Sequence, residues 1–253
     1  HVSCPHCQSS LAVPRGEFAP GTRIGGFEIV RPLGKGGMGE VYLARQLAMG
    51  REVALKVLSA EFAAKADARD RFLKEVRVAA KLEHPHIVTA YDAGEDEGLC
   101  YMAMSVVAGA SLAARPKPGA VMGEREALKM VRKLAQALDH AWNRFRIIHR
   151  DIKPANILFD ADGEPKLADM GLSKSLDDAE AMTMSGEVMG TPNYMSPEQA
   201  RGAEGLDLRA DIYSLGATLY HALTGQMPFG GSSIMAVLRK QAVEILPDPR
   251  EFN

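Results

Sequence analysis

Cysteine is scarce in this chain of 253 residues, and its three copies cannot form a disulfide framework. Long apolar runs are also missing. A membrane-spanning helix needs roughly 18 uninterrupted apolar residues, whereas the best candidate, 212–223, is shorter and carries several polar residues. The net charge is −2, so the chain does not have the excess of basic residues that is typical of proteins that bind nucleic acids or membrane surfaces. We therefore expect a cytoplasmic domain with no nucleic-acid partner and no membrane segment of its own. The chain opens on His1 and not on Met, so an anchor could lie outside it.

Residues 1–26 differ in composition from the rest of the chain. Cys4 and Cys7 frame a C-P-H-C run, and a stretch rich in proline and glycine follows it. This composition predicts a cysteine-pair segment and a linker. One C-x-x-C supplies half of a structural zinc site, which needs four ligands, and His1 and His6 are awkwardly close to the pair. Free thiols are therefore favoured over zinc at Cys4 and Cys7.

From Phe27 onward the pattern becomes strand-like and then helical. Expected strands cover 27–30, 41–44, 52–58, 87–91 and 100–107. Apolar residues from Phe72 to Leu82 recur at helical spacing and predict one helix among the strands, with Asp67 as its cap. After Gly109 the apolar stripes at 127–145 and 212–223 predict long helices. This order indicates an antiparallel sheet followed by a helical part.

A glycine-rich stretch at 34–41 fits the pattern G-x-G-x-x-G-x-V. Glycines let a backbone approach phosphate oxygens and offer its N–H groups to them. A flexible turn would explain the glycines equally well on their own. A dinucleotide fold would need a helix directly after them, whereas Glu40 to Ala44 continues as a strand. The glycines therefore indicate the tip of a hairpin that covers phosphates.

Lys56 lies in a V-A-L-K strand, where a solvated lysine would be the default interpretation. With the glycine hairpin upstream, Lys56 is better interpreted as a lysine that binds the α- and β-phosphates. Such a lysine needs a carboxylate to orient it. Glu75 on the following helix is the favoured partner, while Glu61 and Glu83 are interpreted as surface charges.

The most informative stretch is H-R-D-I-K-P-A-N at 149–156, followed by Asp169-Met170-Gly171. It places a base, a phosphate-binding cation and two metal ligands within about two dozen residues, which are the groups that phosphoryl transfer requires. Downstream the chain carries G-T-P-N-Y-M-S-P-E at 190–198 and D-I-Y-S-L-G at 211–216. Their order and spacing make an accidental match very improbable.

Together these motifs resemble the Hanks-type, eukaryotic-like serine/threonine protein kinases of bacteria, from about Phe27 to the end of the chain. The resemblance implies an α+β, two-lobed kinase fold. Residues 27–107 would form a small antiparallel-sheet N-lobe with one main helix, and 108–253 a mostly helical C-lobe. In this family Glu198 is usually buried against an arginine of a late helix. Since the chain ends at Asn253, apparently before that helix, we expect the C-lobe to be incomplete.

The resemblance also assigns roles to residues. Asp151 would accept the proton of the substrate hydroxyl, Lys153 would neutralise the γ-phosphate, and Asn156 and Asp169 would hold Mg²⁺, with Mn²⁺ as an alternative. The implied catalytic set is Asp151, Lys153, Asn156, Lys56 and Glu75. The implied ATP-binding set is Leu33, Gly34, Lys35, Gly36, Gly37, Met38, Gly39, Val41, Ala54, Lys56, Met104, Val106 and Leu158.

Further expectations concern the segment from Asp169 to Glu198. Arg150 could pair with a phosphate on this segment, and Thr183 and Ser185 are the candidate acceptors. Thr191 would contact Asp151 and Lys153 and favour serine or threonine substrates. Asp211 would cap the next helix and brace the catalytic loop.

The leading hypothesis is an ATP-dependent kinase that phosphorylates protein serines and threonines and its own activation segment. A pseudokinase that binds nucleotide without turnover is the alternative, although the residues whose loss would favour it are all present. A small-molecule phosphotransferase would lack the long activation segment and the S-P-E motif. Protein substrates are the expected partners, and a homodimer is left open.

Overall fold

The computed structural model describes residues 2–3, 10–11, 18–36, 39–58, 66–114, 121–170, 192–231 and 233–252. The chain divides into two compact units. The first unit comprises His1–Leu73 and Ala90–Val106, and the second comprises Lys74–Thr89 and Val107–Asn253. Among the described residues, no helix combines the length and apolarity that crossing a membrane requires.

A six-stranded antiparallel sheet dominates the first unit, with strand order β3-β4-β5-β6-β8-β7. Its strands are β3 (Arg23–Ile24), β4 (Phe27–Gly36), β5 (Gly39–Gln46), β6 (Arg51–Leu58), β7 (Ala90–Asp96) and β8 (Leu99–Met104). Two short strands, β1 (Val2–Ser3) and β2 (Ser10–Leu11), pair separately. The small antiparallel sheet predicted from the alternating pattern is confirmed.

The two faces of this sheet differ in what they carry. One face forms the core of the first unit, with buried residues contributed by neighbouring strands: Ile24, Phe27, Ile29, Tyr42, Ala44, Val53, Leu55, Val57, Tyr101 and Ala103. Because successive side chains of a strand point to opposite faces, the residues between these core positions lie on the other face. That other face carries Ala54 and Lys56.

The second unit is mainly helical, as its apolar stripes predicted. Its helices and small strands are α2 (Glu124–Phe145), β9 (Ile157–Phe159), β10 (Pro165–Leu167), α3 (Pro197–Ala200), α4 (Leu208–Thr224) and α5 (Ile234–Val243). Helix α1 (Ala66–Ala79) crosses from the first unit into the second at Lys74. The core packs the apolar stripe of α2, including Leu134 and Leu138, against Ile152, Ile157 and Leu215.

Several element boundaries differ from the sequence-based expectations. The strand predicted at 87–91 begins at Ala90, because Ile87 forms an isolated parallel bridge with Leu167 of the second unit. The strand predicted to reach residue 107 ends at Met104. Asp67 does not precede α1, since that helix already begins at Ala66.

Candidate active site

Strand register in the first unit gathers four of the predicted ATP-binding residues. Val41 lies opposite Lys56, and Ala54 lies opposite Met104. Directly opposed residues share a face, and so do residues two apart on one strand. Val41, Ala54, Lys56 and Met104 therefore lie on the face that does not form the core. Lys56 is 5% exposed, and a cation buried to that degree requires polar partners.

The glycine hairpin closes where Gly36 pairs with Gly39; Gly37 and Met38 at its tip lie outside the described residues. Gly39 has φ 148°, and a Cβ there would lie 2.0 Å from the carbonyl oxygen of Val57. Only glycine fits this position, because β5 and β6 approach each other closely there. Gly34 pairs with Val41 on the same hairpin.

The remaining predicted ATP-binding residues occupy more open positions. Leu33 is 42% exposed and lies at a register shift between β4 and β5. Val106, just beyond β8, is 39% exposed. Leu158 belongs to the second unit, where it is half-buried, pairs with Lys166 and forms a bridge with Ser111. Lys35 is directly opposite Glu40, so its side chain shares the face of Glu40 and not that of Val41.

The loop at 149–156 in the second unit carries predicted catalytic residues, and we call it the catalytic loop. It brings three of them together around one carboxylate. Asp151 Oδ2 lies 2.9 Å from Lys153 Nζ and accepts a hydrogen bond of 2.9 Å from Asn156 Nδ2. Asn156 Nδ2 also donates to the Asp151 carbonyl at 2.7 Å. The side chains of Asp151 and Lys153 are 24% and 20% exposed. Two donors on Oδ2 fix the carboxylate, and among the described residues none donates a hydrogen bond to Oδ1.

Asp211 of α4 braces this loop from below. It is fully buried, and its two carboxylate oxygens accept the backbone N–H groups of His149 at 2.7 Å and Arg150 at 2.8 Å. Burial raises the pKa of Asp211, while His149 and the two backbone donors oppose that rise. The predicted brace is present, but the helix cap is Asp207, whose side chain accepts the backbone N–H of Arg209.

His149 is fully buried and links the loop to the strand that follows it. Its Nε2 lies 2.9 Å from the carbonyl oxygen of Ala168, and its Nδ1 accepts the backbone N–H of Asp151 at 3.3 Å. These partners assign the proton to Nε2. His149 therefore orients the backbone of Asp151.

Arg150 adopts φ 66°, an unfavourable conformation for a residue other than glycine. Its N–H donates to Asp211, and its carbonyl accepts a hydrogen bond of 2.9 Å from Gln199 Nε2. Gln199 is a residue that the motif analysis missed, although the S-x-x-Q capping box from Ser196 to Gln199 marks the start of its helix. The strained loop is thus held from both sides.

A backbone hydrogen bond connects Asn156 with Ala168, which directly precedes Asp169, so the two predicted metal ligands lie close together. Ala168, directly before Asp169, donates its N–H to the carbonyl of Asn156 at 2.9 Å, and Asp169 has φ 59°. The amide nitrogen of Asn156 is engaged with Asp151, which turns its amide oxygen to other partners. One carboxylate and one amide oxygen are hard donors that suit Mg²⁺ when phosphates complete its shell. The residues therefore fit a magnesium ion.

Other predicted positions are only partly described. Glu75 lies within α1, but its side chain is outside the described residues. Cys4, Cys7, Thr183, Ser185 and Thr191 also lie outside them. Within the described parts, no group of three or more His, Cys, Asp and Glu side chains could hold a metal ion. Met170 is 5% exposed within the core of the second unit, where its flexible thioether fills an apolar position.

Glu198 departs from the buried position that the resemblance implied. It lies in the first turn of α3 and is half-buried. The pKa of Arg209 is raised, mainly by its hydrogen bonds with Asp207 and to a smaller extent by the charge of Glu198. A partly solvated carboxylate needs less compensation from a cation than a buried one.

A sequence model of the protein kinase domain matches residues 27–251. The chain belongs to the protein kinase family. This kinase domain is 45% identical over 219 residues to the serine/threonine-protein kinase PknF of Mycobacterium tuberculosis (strain H37Rv), a match that covers 84% of this chain and 45% of PknF. It is 38% identical over 234 residues to the serine/threonine-protein kinase PrkC of Bacillus subtilis (strain 168), covering 92% of this chain and 36% of PrkC.

A solved structure agrees with these relatives. The crystal structure of the PknI kinase domain of Mycobacterium tuberculosis matches with a TM-score of 0.70 and 37% identity, covering 86% of this chain and 80% of that one. The two-lobed kinase fold and the similarity to Hanks-type bacterial serine/threonine kinases are thereby confirmed. The kinase domain spans less than half the length of PknF and PrkC. Protein kinases as a family use ATP and a divalent metal ion.

Proposed function

We propose that this kinase domain transfers the γ-phosphoryl group of ATP to serine and threonine hydroxyls of proteins, with Mg²⁺ as the metal ion. The observation that supports this best is the Asp151 carboxylate, whose Oδ2 is held by Lys153 and Asn156. A base fixed in this way meets the main demand of phosphoryl transfer, which is positioning.

The residues of the catalytic loop would divide the work. Asp151 Oδ1 would accept the hydrogen bond of the substrate hydroxyl, orient it and receive its proton as transfer proceeds. Lys153, already within 2.9 Å of Asp151, would place its charge beside the transferred group. Asn156 and Asp169 would hold Mg²⁺, which supplies charge neutralisation to the phosphates when it is bound. Lys56, steadied by Glu75, would orient the α- and β-phosphates.

Residues of the predicted ATP-binding set would surround the adenine base. Leu33, Val41 and Ala54 would form the roof over adenine and Leu158 its floor. The backbone of the stretch after Met104 would meet the adenine edge. The lysine at 153, with Thr191, supports serine and threonine as acceptors. We propose a cytoplasmic setting, which agrees with the small number of cysteines in the sequence. Light scattering after size-exclusion chromatography would distinguish a monomer from a homodimer.

Incubation with γ-labelled ATP, Mg²⁺ and a generic basic protein tests the proposed activity. Labelled phosphate on serine and threonine is the expected result, and phosphoamino-acid analysis identifies the acceptor. Nucleotide binding without transfer, under conditions where a known kinase labels the same protein, would instead support the pseudokinase alternative. Label on tyrosine alone would contradict the acceptor class.

Lys56→Met should reduce kcat/KM by about a hundredfold, because it removes a preorganised cation from the phosphates. Glu75→Ala should reduce it by a smaller factor of about ten, since Lys56 keeps its charge but loses its orientation. Lys74→Ala, at an exposed position beside Glu75 on α1, is the matched control and should leave kcat/KM unchanged. Steady-state kinetics of the three variants tests the pairing. An unaffected Glu75→Ala enzyme would assign the partner role to another carboxylate or to none.

Autophosphorylation should concentrate on Thr183 and Ser185. A phosphate adds nearly two negative charges at neutral pH, and an arginine such as Arg150 can pair with it. Peptide mass spectrometry after incubation with ATP would locate the modified residues, and the Asp151→Asn protein serves as the unphosphorylated control. Phosphate found only outside 169–198 would contradict activation through this segment.

A further inference from the structure

The glycine hairpin carries an ion pair immediately before its turn. Lys35 and Glu40 are direct cross-strand partners, and Gly36 and Gly39 form the next pair toward the tip. Lys35 Nζ lies 2.8 Å from Glu40 Oε1. The side chain of Lys35 is 75% exposed, whereas that of Glu40 is only 20% exposed. The pair therefore joins an exposed cation to a carboxylate that is largely shielded from solvent.

A buried tyrosine holds that carboxylate in place. Tyr42 lies two residues beyond Glu40 on the same face of β5, is fully buried, and donates its hydroxyl to Glu40 Oε2. The same hydroxyl accepts the backbone N–H of Phe18 at 3.1 Å. The Phe18 ring packs edge-on against Tyr42, with 5.7 Å between the ring centroids. The Tyr42 oxygen accepts from Phe18 through a lone pair and donates its single proton to Glu40, so both hydrogen bonds form together.

Both partners favour the ionised form of Glu40. The hydrogen bond from Lys35, followed by that from Tyr42, lowers the pKa of the Glu40 carboxyl, and burial opposes this only in part. A carboxyl with a lowered pKa keeps its pairing at neutral pH and loses it only as the pH falls below the ordinary range of glutamate. The contacts that connect Phe18, Tyr42, Glu40 and Lys35 are therefore all formed at neutral pH.

We propose that Glu40 is a positioning residue for nucleotide binding. Anchored by Tyr42 and Phe18, it fixes Lys35 and so holds the described strand ends of the hairpin, Gly34–Gly36 and Gly39, in the geometry in which their backbone would approach phosphate. The strand register supports this role, because Lys35 and Glu40 share the face opposite to that of Val41 and Lys56. The side chain of Lys35 thus braces the hairpin, and the part of Lys35 in the proposed nucleotide site would be played by its backbone N–H. The inference rests on the nucleotide site proposed above.

The test measures the Kd of MgATP by isothermal titration calorimetry, together with KM and kcat, for Glu40→Gln, Tyr42→Phe and the double variant. Glu40→Gln should raise Kd and KM about tenfold, the factor expected when a charged hydrogen bond is lost, and should change kcat much less. Tyr42→Phe should act in the same direction, and the double variant should be no worse than Glu40→Gln. Such non-additivity indicates that the two residues act as one unit.

Glu28→Gln is the matched control. Glu28 is the cross-strand partner of Arg23 in the same sheet, with 3.4 Å between Arg23 Nε and Glu28 Oε2, and it lies far along β4 from the turn. Its Kd for MgATP should equal that of the wild type. Thermal unfolding midpoints of all variants would verify that each one is folded.

The outcomes separate the inference from the proposed function. If the wild type does not bind MgATP, the nucleotide site and the inference both fail. If the wild type binds and Glu40→Gln binds equally well, only the inference fails. Additive effects of Glu40→Gln and Tyr42→Phe would also overturn it, as would tighter binding by Glu40→Gln. Tighter binding would mean that Lys35, once released, meets the phosphates itself.

Discussion

Asp151→Asn should lower kcat about a thousandfold, the scale expected when a positioned base is lost. The amide is isosteric and can still accept a hydrogen bond, but it cannot take the proton of the substrate hydroxyl. It also loses the charge that attracts Lys153, which lies 2.9 Å from Oδ2. Single-turnover measurement of phosphate transfer to a serine peptide, at saturating MgATP, would report this step directly.

The Kd of MgATP should change little in Asp151→Asn and should rise in Asp169→Ala. Asp151 faces the acceptor, so the Kd of MgATP should change by no more than about twofold in Asp151→Asn. Asp169→Ala, in contrast, removes a proposed metal ligand and should weaken MgATP binding while leaving Mg²⁺-free nucleotide binding nearly unchanged. If Asp151→Asn turns over at a near-native rate, the assignment of the base is wrong. If Asp169→Ala binds MgATP normally, the assignment of the metal ligand fails.

The catalytic loop could be predicted from the sequence because its residues are close along the chain. Asp151, Lys153 and Asn156 lie within six positions, so a short turn at Pro154–Asn156 suffices to bring their side chains together. The face shared by Val41, Ala54 and Lys56 was similarly predictable, since it depends only on strand alternation and on short connections between antiparallel neighbours.

The missed features depend on contacts between distant segments. Gln199 reaches the Arg150 carbonyl across 49 positions, and Tyr42 accepts from Phe18 across 24. Nothing in the local pattern indicates such pairings. The local pattern predicts a strand at Ile87, but Ile87 instead forms an isolated bridge with Leu167 of the second unit. Tertiary packing outweighs local propensity at such positions.

The sequence predicts Asp211 as the cap of helix α4, but Asp207 forms the cap instead, and the reason is again a contact with a distant segment. Both are aspartates near the start of α4, and a helix cap favours either of them. Asp207 has the extended backbone of a cap and accepts the N–H of Arg209. Asp211 lies one turn further in, on the buried side, where the catalytic loop passes. Its carboxylate is thereby available to two amides of that loop.

Asp211→Ala should destabilise the protein more than any other variant considered, by about 3–4 kcal/mol. It leaves the backbone N–H groups of His149 and Arg150 without their acceptors, and each unsatisfied buried group costs about 1–3 kcal/mol. For a chain of this size such a loss corresponds to a decrease in unfolding temperature of about 6–16 °C. Turnover should also fall, because Arg150 would relax from φ 66° and carry Asp151 with it.

Two companion variants make the Asp211 experiment decisive. Asp211→Asn keeps one acceptor oxygen but turns an NH₂ group toward the second backbone N–H, so its loss of stability should be about half that of Asp211→Ala. Asp207→Ala removes the partly exposed side-chain cap of the same helix. It should destabilise less and leave kcat unchanged, since the described hydrogen bonds of the Asp207 side chain go only to Arg209. Differential scanning fluorimetry and single-turnover kinetics on the same samples would give both quantities. Equal effects of Asp207→Ala and Asp211→Ala on kcat would show that helix α4 acts as a whole, and that the carboxylate under the catalytic loop has no specific part in orienting Asp151.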